Sequence, residues 1–392
     1  MPTGPLHQLV RFAPPTQDHV PAVRIALTVG LPQLVLLAVG RLDLSIYAAF
    51  GAFTAIYGRQ EAPGLRMRHQ CQAALMLLAC IALGLGLSRV HADPWLVVAV
   101  CGLVAGGGAV FTAVLRLRPA GSTFLIFAAG AIGSIPQPAS WAQGLGTAAA
   151  TAAWSVLAGL AGALLGEGRR GHVAPPPGPH GMDRRRAARY GLMFFLAPLI
   201  AGLLGQASGL SHSYWAMVAA AAAIAGPNSR ARLHRAVQRV VGTFGGVLIT
   251  AFVLSQQPRA WHLVVWVIIF QFLTETYVLR NYAFATLFIT PLALLMLQLG
   301  HPSSVGTVLT ARLAETAIGG AVAIVLVLLT RTREERRAGA QVRAQARTER
   351  IGGAARRPGT ASETAPDVAP ETARGPASAA TRPPEEPRWP RD

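Results

Sequence analysis

The sequence has no lysine, so all 35 of its basic side chains are arginines, and only 13% of its residues are charged. Three cysteines are too few for a disulfide framework, and each lies in an apolar stretch where cysteine packs as a small hydrophobic residue. Neither the cysteines nor the histidines have metal-ligand spacing. Nucleotide-binding, acidic-cluster and serine-hydrolase motifs are also absent. We therefore predict no metal, no cofactor, no catalytic residues and no enzyme.

Long apolar runs dominate what is present. Hydrophobic residues make up 52% of the chain and gather in runs of roughly 15 to 25 residues, near the length that crosses a bilayer as a helix. A soluble core of this size would show amphipathic stripes instead. The sequence predicts an all-α, polytopic membrane helix bundle.

The chain repeats one order of features. Each half begins with an arginine that leads into a proline-interrupted apolar stretch, Arg24 with Pro32 and Arg189 with Pro198. The predicted spans are 22–40, 44–58, 71–89, 94–115, 121–136 and 141–166 in the first half, and 187–205, 212–226, 237–255, 261–279, 282–300 and 306–330 in the second. This order predicts about twelve transmembrane helices in two parallel six-helix repeats, a plan common in transporters.

The arginines predict the orientation of the bundle. Alternate loops are rich in arginine, and the others contain only Arg41, Arg89 and Arg259. Because basic loops stay cytoplasmic, we expect a protein of the cell (inner) membrane with both termini on the cytoplasmic side. The formal charge of +18 could suggest nucleic acid, but the arginines lie at span ends. The lipid bilayer is therefore the expected partner, and nucleic acid is not.

The predicted segments follow from these spans. They are a cytoplasmic N-terminal segment (1–21), the first membrane repeat (22–166), a cytoplasmic linker rich in Pro, Gly and Arg (167–186), the second repeat (187–330), an Arg-rich helix extension (331–350) and a disordered tail (351–392).

Glu315, Arg312 and Glu275 are candidates for chemistry because they fall inside predicted spans, where burying charge is costly enough to require a reason. Glu315 lies about 13 Å along its helix from the start of the span, with Arg312 one turn before it. Glu315 is either a proton-coupling carboxylate or one partner of a self-neutralised pair with Arg312. Glu275 lies in the polar run QFLTETY, and is either a second proton-coupling group or an interfacial residue.

The segments 44–58 and 212–226 are barely long enough to cross, and they occupy corresponding positions. Short segments matched across two repeats are a pointer to a transport site. Tyr47, Tyr214 and Trp215 stand near their ends and are either ring-stacking residues of that site or ordinary interface-belt residues.

Prolines and glycines inside the spans predict helix shape and packing. Pro32 and Pro198 each free a backbone carbonyl and are predicted kink positions. Gly242 and Gly246 have small-xxx-small spacing, which is typical of close helix packing.

The second half resembles the fusaric acid resistance-like, or aromatic acid exporter, family. The string SHSYWAMVAAAAAIAGPNSRARLHRAVQRVVGTFGGVL carries this resemblance, together with Asn281–Tyr282 and the pattern Arg312-Leu-x-Glu315-Thr-x-x-Gly319. The first half resembles the N-terminal repeat of actinobacterial members. The resemblance implies an inner-membrane exporter of aromatic or other organic acids, driven by the proton gradient. Larger members carry a sizeable cytoplasmic domain between or after the halves, where this sequence has a linker of about twenty residues.

These observations predict secondary efflux of a small organic anion. Arg239 and Arg312 are the candidate carboxylate-binding residues, Tyr47, Tyr214 and Trp215 the candidate ring-binding residues, and Glu275 and Glu315 the candidate proton carriers. An anion channel, a major-facilitator transporter and a membrane scaffold that recruits a partner through the Arg-rich tail are the alternatives. The sequence leaves open a homo-oligomer or an accessory subunit.

Overall fold

The computed structural model describes residues 12–14, 19–59, 61–164, 166–167, 184–210 and 212–330. These residues form twelve α-helices and no β-strand, so the all-α prediction is confirmed. Nine of the twelve are long and apolar enough to cross a membrane, and the chain is a multi-pass membrane protein. Most of the predicted N-terminal segment (1–21), most of the linker (167–186), the helix extension (331–350) and the tail (351–392) lie outside the described residues.

Each half of the chain contributes six helices. The first half forms α1 (His19–Ala38), α2 (Ser45–Ala52), α3 (Pro63–Arg89), α4 (Pro94–Val114), α5 (Thr123–Gly133) and α6 (Trp141–Leu164). The second half forms α7 (Arg184–Ala207), α8 (Tyr214–Ile224), α9 (Ser229–Ser255), α10 (Ala260–Tyr277), α11 (Tyr282–Gly300) and α12 (Val305–Thr330). Two 3₁₀ turns, Leu42–Leu44 and Phe53–Ile56, flank α2.

Two helices begin well before their predicted spans. The apolar pattern predicts starts at 71 and 237, whereas α3 begins at Pro63 and α9 at Ser229. Proline is suited to the first helical position, and Asn228 caps α9 by accepting a hydrogen bond from the Ala231 amide. Arginine is a good helix former, so the basic segments continue the helices instead of forming loops.

Three predicted spans form short helices inside the bundle. Helices α2, α5 and α8 contain 8, 11 and 11 residues, too few to cross the roughly 30 Å hydrocarbon layer by themselves. Every residue of α2 and α8 is buried. A helix surrounded by protein need not match the thickness of the bilayer, because its ends are satisfied by neighbouring polar groups.

The helix contacts of the first half recur in the second. Helix α3 packs on α5 and α6, and α9 packs on α11 and α12. Helix α2 packs on α6 as α8 packs on α12. Between the halves, α1 contacts α10 and α4 contacts α7, while α2 contacts α11 and α5 contacts α8. The short helices therefore lie at the meeting of the two halves.

Glycines permit the closest of these approaches. A Cβ at Gly246 on α9 would lie 2.6 Å from Cβ of Thr290 on α11, and one at Gly242 would meet Ala283 and Thr286. The predicted packing pair therefore faces the helix that α9 contacts most extensively. Pro32 lies within α1 and Pro198 within α7, and their predicted role in kinking remains a prediction.

Candidate functional site

A cavity of about 700 Å³ lies where the short helices of the two halves meet. The first half lines it through α2, α5 and their adjoining segments, and the second half through α8 to α12. Five arginines and two glutamates line the cavity: Arg59, Arg118, Arg235, Arg239, Arg312, Glu61 and Glu275. Cations therefore exceed carboxylates by three in a chamber whose remaining lining is largely apolar.

The first half provides an aromatic wall. Phe50 on α2 packs edge-on against Phe127 on α5, with ring centroids 5.1 Å apart. Phe53 packs in the same way against Phe124, with a centroid distance of 5.3 Å. Such edge-to-face pairs are a favourable arrangement of aromatic rings and leave flat apolar surface toward the cavity.

The second half provides a cationic wall. Arg235 and Arg239 lie one turn apart on α9, and both converge on Tyr282 at the start of α11. The Arg235 guanidinium lies 3.9 Å from the centre of the Tyr282 ring, and its Nε donates to the Ala222 carbonyl. Nη1 of Arg239 donates to the Tyr282 hydroxyl at 3.3 Å. These cations are held by a ring, a hydroxyl and a carbonyl, not by carboxylates.

Arg312 is the most deeply buried cation of the cavity, at 1% exposure. Its guanidinium carbon lies 5.0 Å from the Trp215 ring centre, a cation–π distance. Its Nε and Nη1 have no hydrogen-bond partner, and none of the ion pairs formed among the described residues includes it. The self-neutralised pair with Glu315, one reading of the sequence, is therefore not formed in this structure. Arg312 presents unused donors at a buried position.

Glu315 lies beside the cavity but is not among its lining residues. Its Oε1 accepts a hydrogen bond from the His212 backbone amide at 2.9 Å, which holds the α7–α8 loop against α12. Its Oε2 has no partner. The His212 ring stacks on Trp215 with centroids 4.6 Å apart. Trp215 thus contacts both the cavity cation Arg312 and the residue whose amide binds Glu315.

Three buried arginines of the first half, Arg24, Arg59 and Arg66, are paired with carboxylates, in contrast to the cationic wall of the second half. Nε of Arg24 on α1 lies 2.9 Å from Glu167, and Nη1 of Arg66 on α3 lies 3.4 Å from the same carboxylate. Arg59 pairs with Glu275 of α10 at 2.9 Å, and Gln271 donates to the other oxygen of that carboxylate. The Arg59–Glu275 pair joins the two halves at the cavity wall.

The cavity extends toward one end of the bundle. Its lining includes residues between α2 and α3, between α4 and α5, between α8 and α9, and between α10 and α11. These are the connections on the arginine-rich side of the predicted topology. No described residue of the connections at the opposite end lines it. The described lining of the cavity is therefore one-sided.

The opposite end carries a separate ion pair, outside the spans. Arg41 and Asp43 form two hydrogen bonds, of 3.0 and 2.9 Å, at the start of the 3₁₀ turn before α2. The Arg41 guanidinium holds the pKa of Asp43 below its ordinary value, chiefly through these hydrogen bonds. The pair is exposed and does not line the cavity.

The cavity brings together five residues predicted from the sequence: Tyr214, Trp215, Arg239, Glu275 and Arg312. Tyr47, Glu315, Pro32, Pro198, Gly242 and Gly246 are not part of its lining. Tyr47 is fully buried outside the cavity lining. Its hydroxyl is satisfied there, because it accepts a hydrogen bond from the Ala139 amide in the α5–α6 connection.

Sequence reasoning missed the aromatic wall and several polar groups. The phenylalanines of α2 and α5 are indistinguishable from core residues by pattern alone. Arg59, Arg118 and Arg235 were counted only as charges that orient the bundle. Glu61, which lines the cavity, lies 2.6 Å from Nδ1 of His69 on α3. The one available signal was the short length of α2 and α8. Within the described part of the chain, no group of three or more potential ligand residues could hold a metal ion.

Residues 200–326 match the model of a family described as fusaric acid resistance protein-like. The resemblance noted from the sequence is thereby confirmed over this segment, which contains α8 to α11 and most of α12. An uncharacterized membrane protein of Bacillus subtilis (strain 168), YvaC, is 33% identical over 145 residues, which represent 37% of this chain and 22% of that protein. The matching part thus spans less than a quarter of the relative's length. No solved structure matches the chain significantly.

Proposed function

We propose that this protein is a secondary transporter that exports small organic anions, in particular aromatic carboxylates, across the cell membrane. The observation that carries the proposal is the group Arg235, Arg239 and Arg312, which line a buried cavity and form no ion pair with a carboxylate of the described residues. Buried cations are ordinarily paired, because an unpaired charge in a low-dielectric interior is costly. A substrate carboxylate is the missing partner.

The two walls of the cavity indicate the kind of anion. A carboxylate accepts paired hydrogen bonds from a guanidinium fork, and Arg312 has two unused donors. An aromatic ring attached to that carboxylate would stack on Trp215 and Tyr214 or against the Phe50–Phe127 wall. A fully polar anion would leave the aromatic wall uncovered. The segment similar to the fusaric acid resistance protein-like family includes the whole cationic wall, which supports an organic acid as substrate.

The mechanism that we propose is alternating access of two parallel six-helix repeats. The recurrence of helix contacts in the two halves supports this arrangement, and the arginine-rich connections support cytoplasmic termini. With this orientation the cavity is accessible from the cytoplasm, the side from which an exporter loads. A cavity that reaches only one side favours a carrier over a channel.

Glu275 and Glu315 are the proposed proton carriers. Protonation of Glu275 would remove the negative charge that holds Arg59 at the wall between the halves. Protonation of Glu315 would weaken its hydrogen bond to His212 and loosen the α7–α8 loop. Both changes lie at contacts that have to rearrange when the two halves move. Protonation of either carboxylate would thus weaken a contact that has to rearrange during transport.

Uptake of labelled benzoate and fusaric acid into inverted membrane vesicles, with and without an imposed proton gradient, tests the function. We expect accumulation that depends on the gradient and is lost in Glu275→Gln. Passive equilibration carried by the protein would contradict coupled export and identify an anion channel. Absence of flux, combined with a cellular phenotype from deleting residues 331–392, would favour the membrane scaffold.

A further inference from the structure

A buried acid–imidazole pair lies at the arginine-rich end of the cavity and has no part in the transport steps described above. Nδ1 of His69 lies 2.6 Å from Oε2 of Glu61, and the two side chains are 8% and 11% exposed. Glu61 lines the cavity and His69 lies directly behind it on α3. Because an ionised carboxylate only accepts hydrogen bonds, Nδ1 of His69 carries a hydrogen whether the ring is neutral or charged.

The loop between α2 and α3 is built to hold this pair. Gly58 has a φ of +68°, and a Cβ there would lie 3.1 Å from Oε2 of Glu61 and 3.0 Å from Arg66. Glycine adopts this conformation without strain, so the chain can turn beneath α3 at this point. The Gly58 amide donates to the Arg118 carbonyl, and Nη2 of Arg66 donates to the Glu61 carbonyl. The Gly58 turn and the hydrogen bond from Arg66 thus hold the backbone at Glu61 in place.

The second half has a permanent cation at the matching place. Helices α3 and α9 are both 27 residues long, and His69 and Arg235 occupy the same position in each helix. Arg235 lines the cavity and keeps its charge at all physiological pH values. The corresponding residue of the first half is a histidine, whose imidazole can be neutral or protonated. The cavity therefore has one constant cation and one titratable group at related positions.

Among the groups around Glu61, the His69 imidazole is the nearest titratable base. Helices α5 and α6, which pack on α3, have no charged side chain within their bounds. Arg66 is engaged by Glu167 and by backbone carbonyls, and Arg24 shares that carboxylate. Arg59 pairs with Glu275 on the far wall. Arg66, which donates to the Glu61 carbonyl, is linked in turn to Glu167 and Arg24, while Arg59, Arg118 and Glu275 share the cavity lining with Glu61.

We propose that the Glu61–His69 pair is a pH-sensitive element that adjusts the affinity of the cavity for anions. With a neutral imidazole the pair contributes one negative charge at the cavity wall, and with a protonated imidazole it contributes none. A negative charge at the wall repels an entering anion. The affinity of the cavity for anions therefore rises as the pH falls through the range in which His69 gains its proton. By thermodynamic reciprocity, anion binding favours protonation of His69 to the same degree.

This inference rests on the proposed function, because it requires the cavity to bind an organic anion. Its consequence for a cell is a carrier that loads more readily when the cytoplasm becomes acidic. Acidification is the condition that accompanies accumulation of weak organic acids. The pair would thus increase export when its substrates are in excess.

Equilibrium binding of radiolabelled benzoate to the purified full-length protein, between about pH 5 and 8, tests the inference. Benzoate stays ionised over this range, because a carboxyl ordinarily titrates near pH 4. For the wild type we expect affinity to rise toward low pH by a factor on the order of ten, the effect of one unit charge about 12 Å from the anion at an effective dielectric constant of about 20. For His69→Gln we expect most of this rise to disappear, with only the contribution of the proposed proton carriers Glu275 and Glu315 remaining. For His69→Arg we expect an affinity that stays near the wild-type acid level, with the same small remainder.

His234→Gln is the matched control, since His234 lies on α9 but not in the cavity lining, and this variant should keep the wild-type pH profile. Thermal unfolding checks that the variants are folded, and the two His69 substitutions give independent readings. A His69→Gln variant with the wild-type pH profile would overturn the inference while leaving anion binding intact. A wild type whose affinity is independent of pH would overturn it as well. Failure of the wild type to bind benzoate at any pH would instead contradict the proposed function.

Discussion

Replacing Arg312 with glutamine tests the central feature of the cavity. Arg312 is 1% exposed, stacks on Trp215, and has two nitrogen donors without partners. Since it forms no ion pair among the described residues, its removal leaves no carboxylate stranded in the interior. The loss of affinity measured for an anion should therefore report the interaction between Arg312 and that anion.

The expected magnitude follows from the hydrogen bonds at stake. A hydrogen bond to a charged group contributes about 1.5–3 kcal/mol, and about 1.4 kcal/mol is a tenfold change in Kd. We expect Arg312→Gln to raise the Kd for benzoate by roughly 10- to 100-fold. Arg312→Lys keeps the charge but loses the planar fork, so its effect should be intermediate. Arg230→Gln, on the exposed face of α9, is the control and should bind as the wild type does.

Stability should change in the opposite direction from binding. An unpaired cation in the interior destabilises the unliganded fold, so Arg312→Gln should leave the Tm of the unliganded protein unchanged or raise it. Scintillation-based binding and a thermal unfolding scan on the same preparations measure both quantities. Wild-type benzoate affinity in Arg312→Gln would refute the assignment of Arg312 to the anion site. A large fall in Tm would show that Arg312 is a structural residue.

Four further predictions concern two ion pairs, one helix contact and the aromatic wall. Glu275→Ala should lower the free energy of unfolding by about 3 kcal/mol, because it removes the carboxylate from the buried Arg59–Glu275 ion pair. Asp43→Asn, which breaks an exposed pair, should cost no more than about 1 kcal/mol in the same denaturation assay. Gly246→Leu should lower the Tm, because the larger side chain clashes across the α9–α11 contact. Gly64→Leu, at a site with open space, is the control and should not lower it. Equal effects of the two substitutions would contradict that packing. Phe127→Ala should weaken binding of benzoate more than binding of acetate, and equal weakening would contradict the aromatic wall.

Much of the architecture follows from local properties of the sequence. Apolar runs and arginine-rich connections indicate a multi-pass helical membrane protein, because hydration of backbone and charge is unavailable in lipid. The matched short segments indicated where the two halves would meet, since a helix too short to cross must be enclosed by protein. Helix starts were harder to predict: α3 begins at Pro63, before its apolar run, and Arg66 lies in this first part of the helix, where its charge is buried by contacts from distant parts of the chain.

Tertiary structure decided which charges are available to a ligand. Arg59 and Arg312 look alike in the sequence, yet Arg59 pairs with Glu275, 216 positions away, while Arg312 pairs with no carboxylate in the described chain. Glu315 is one turn from Arg312 along α12, but its carboxylate binds the His212 amide instead. Neutralisation depends on distances of a few ångströms between segments far apart in sequence. The hydrophobic pattern determined that this chain enters a membrane, and the packing of its two halves determined which cations face the cavity without a carboxylate.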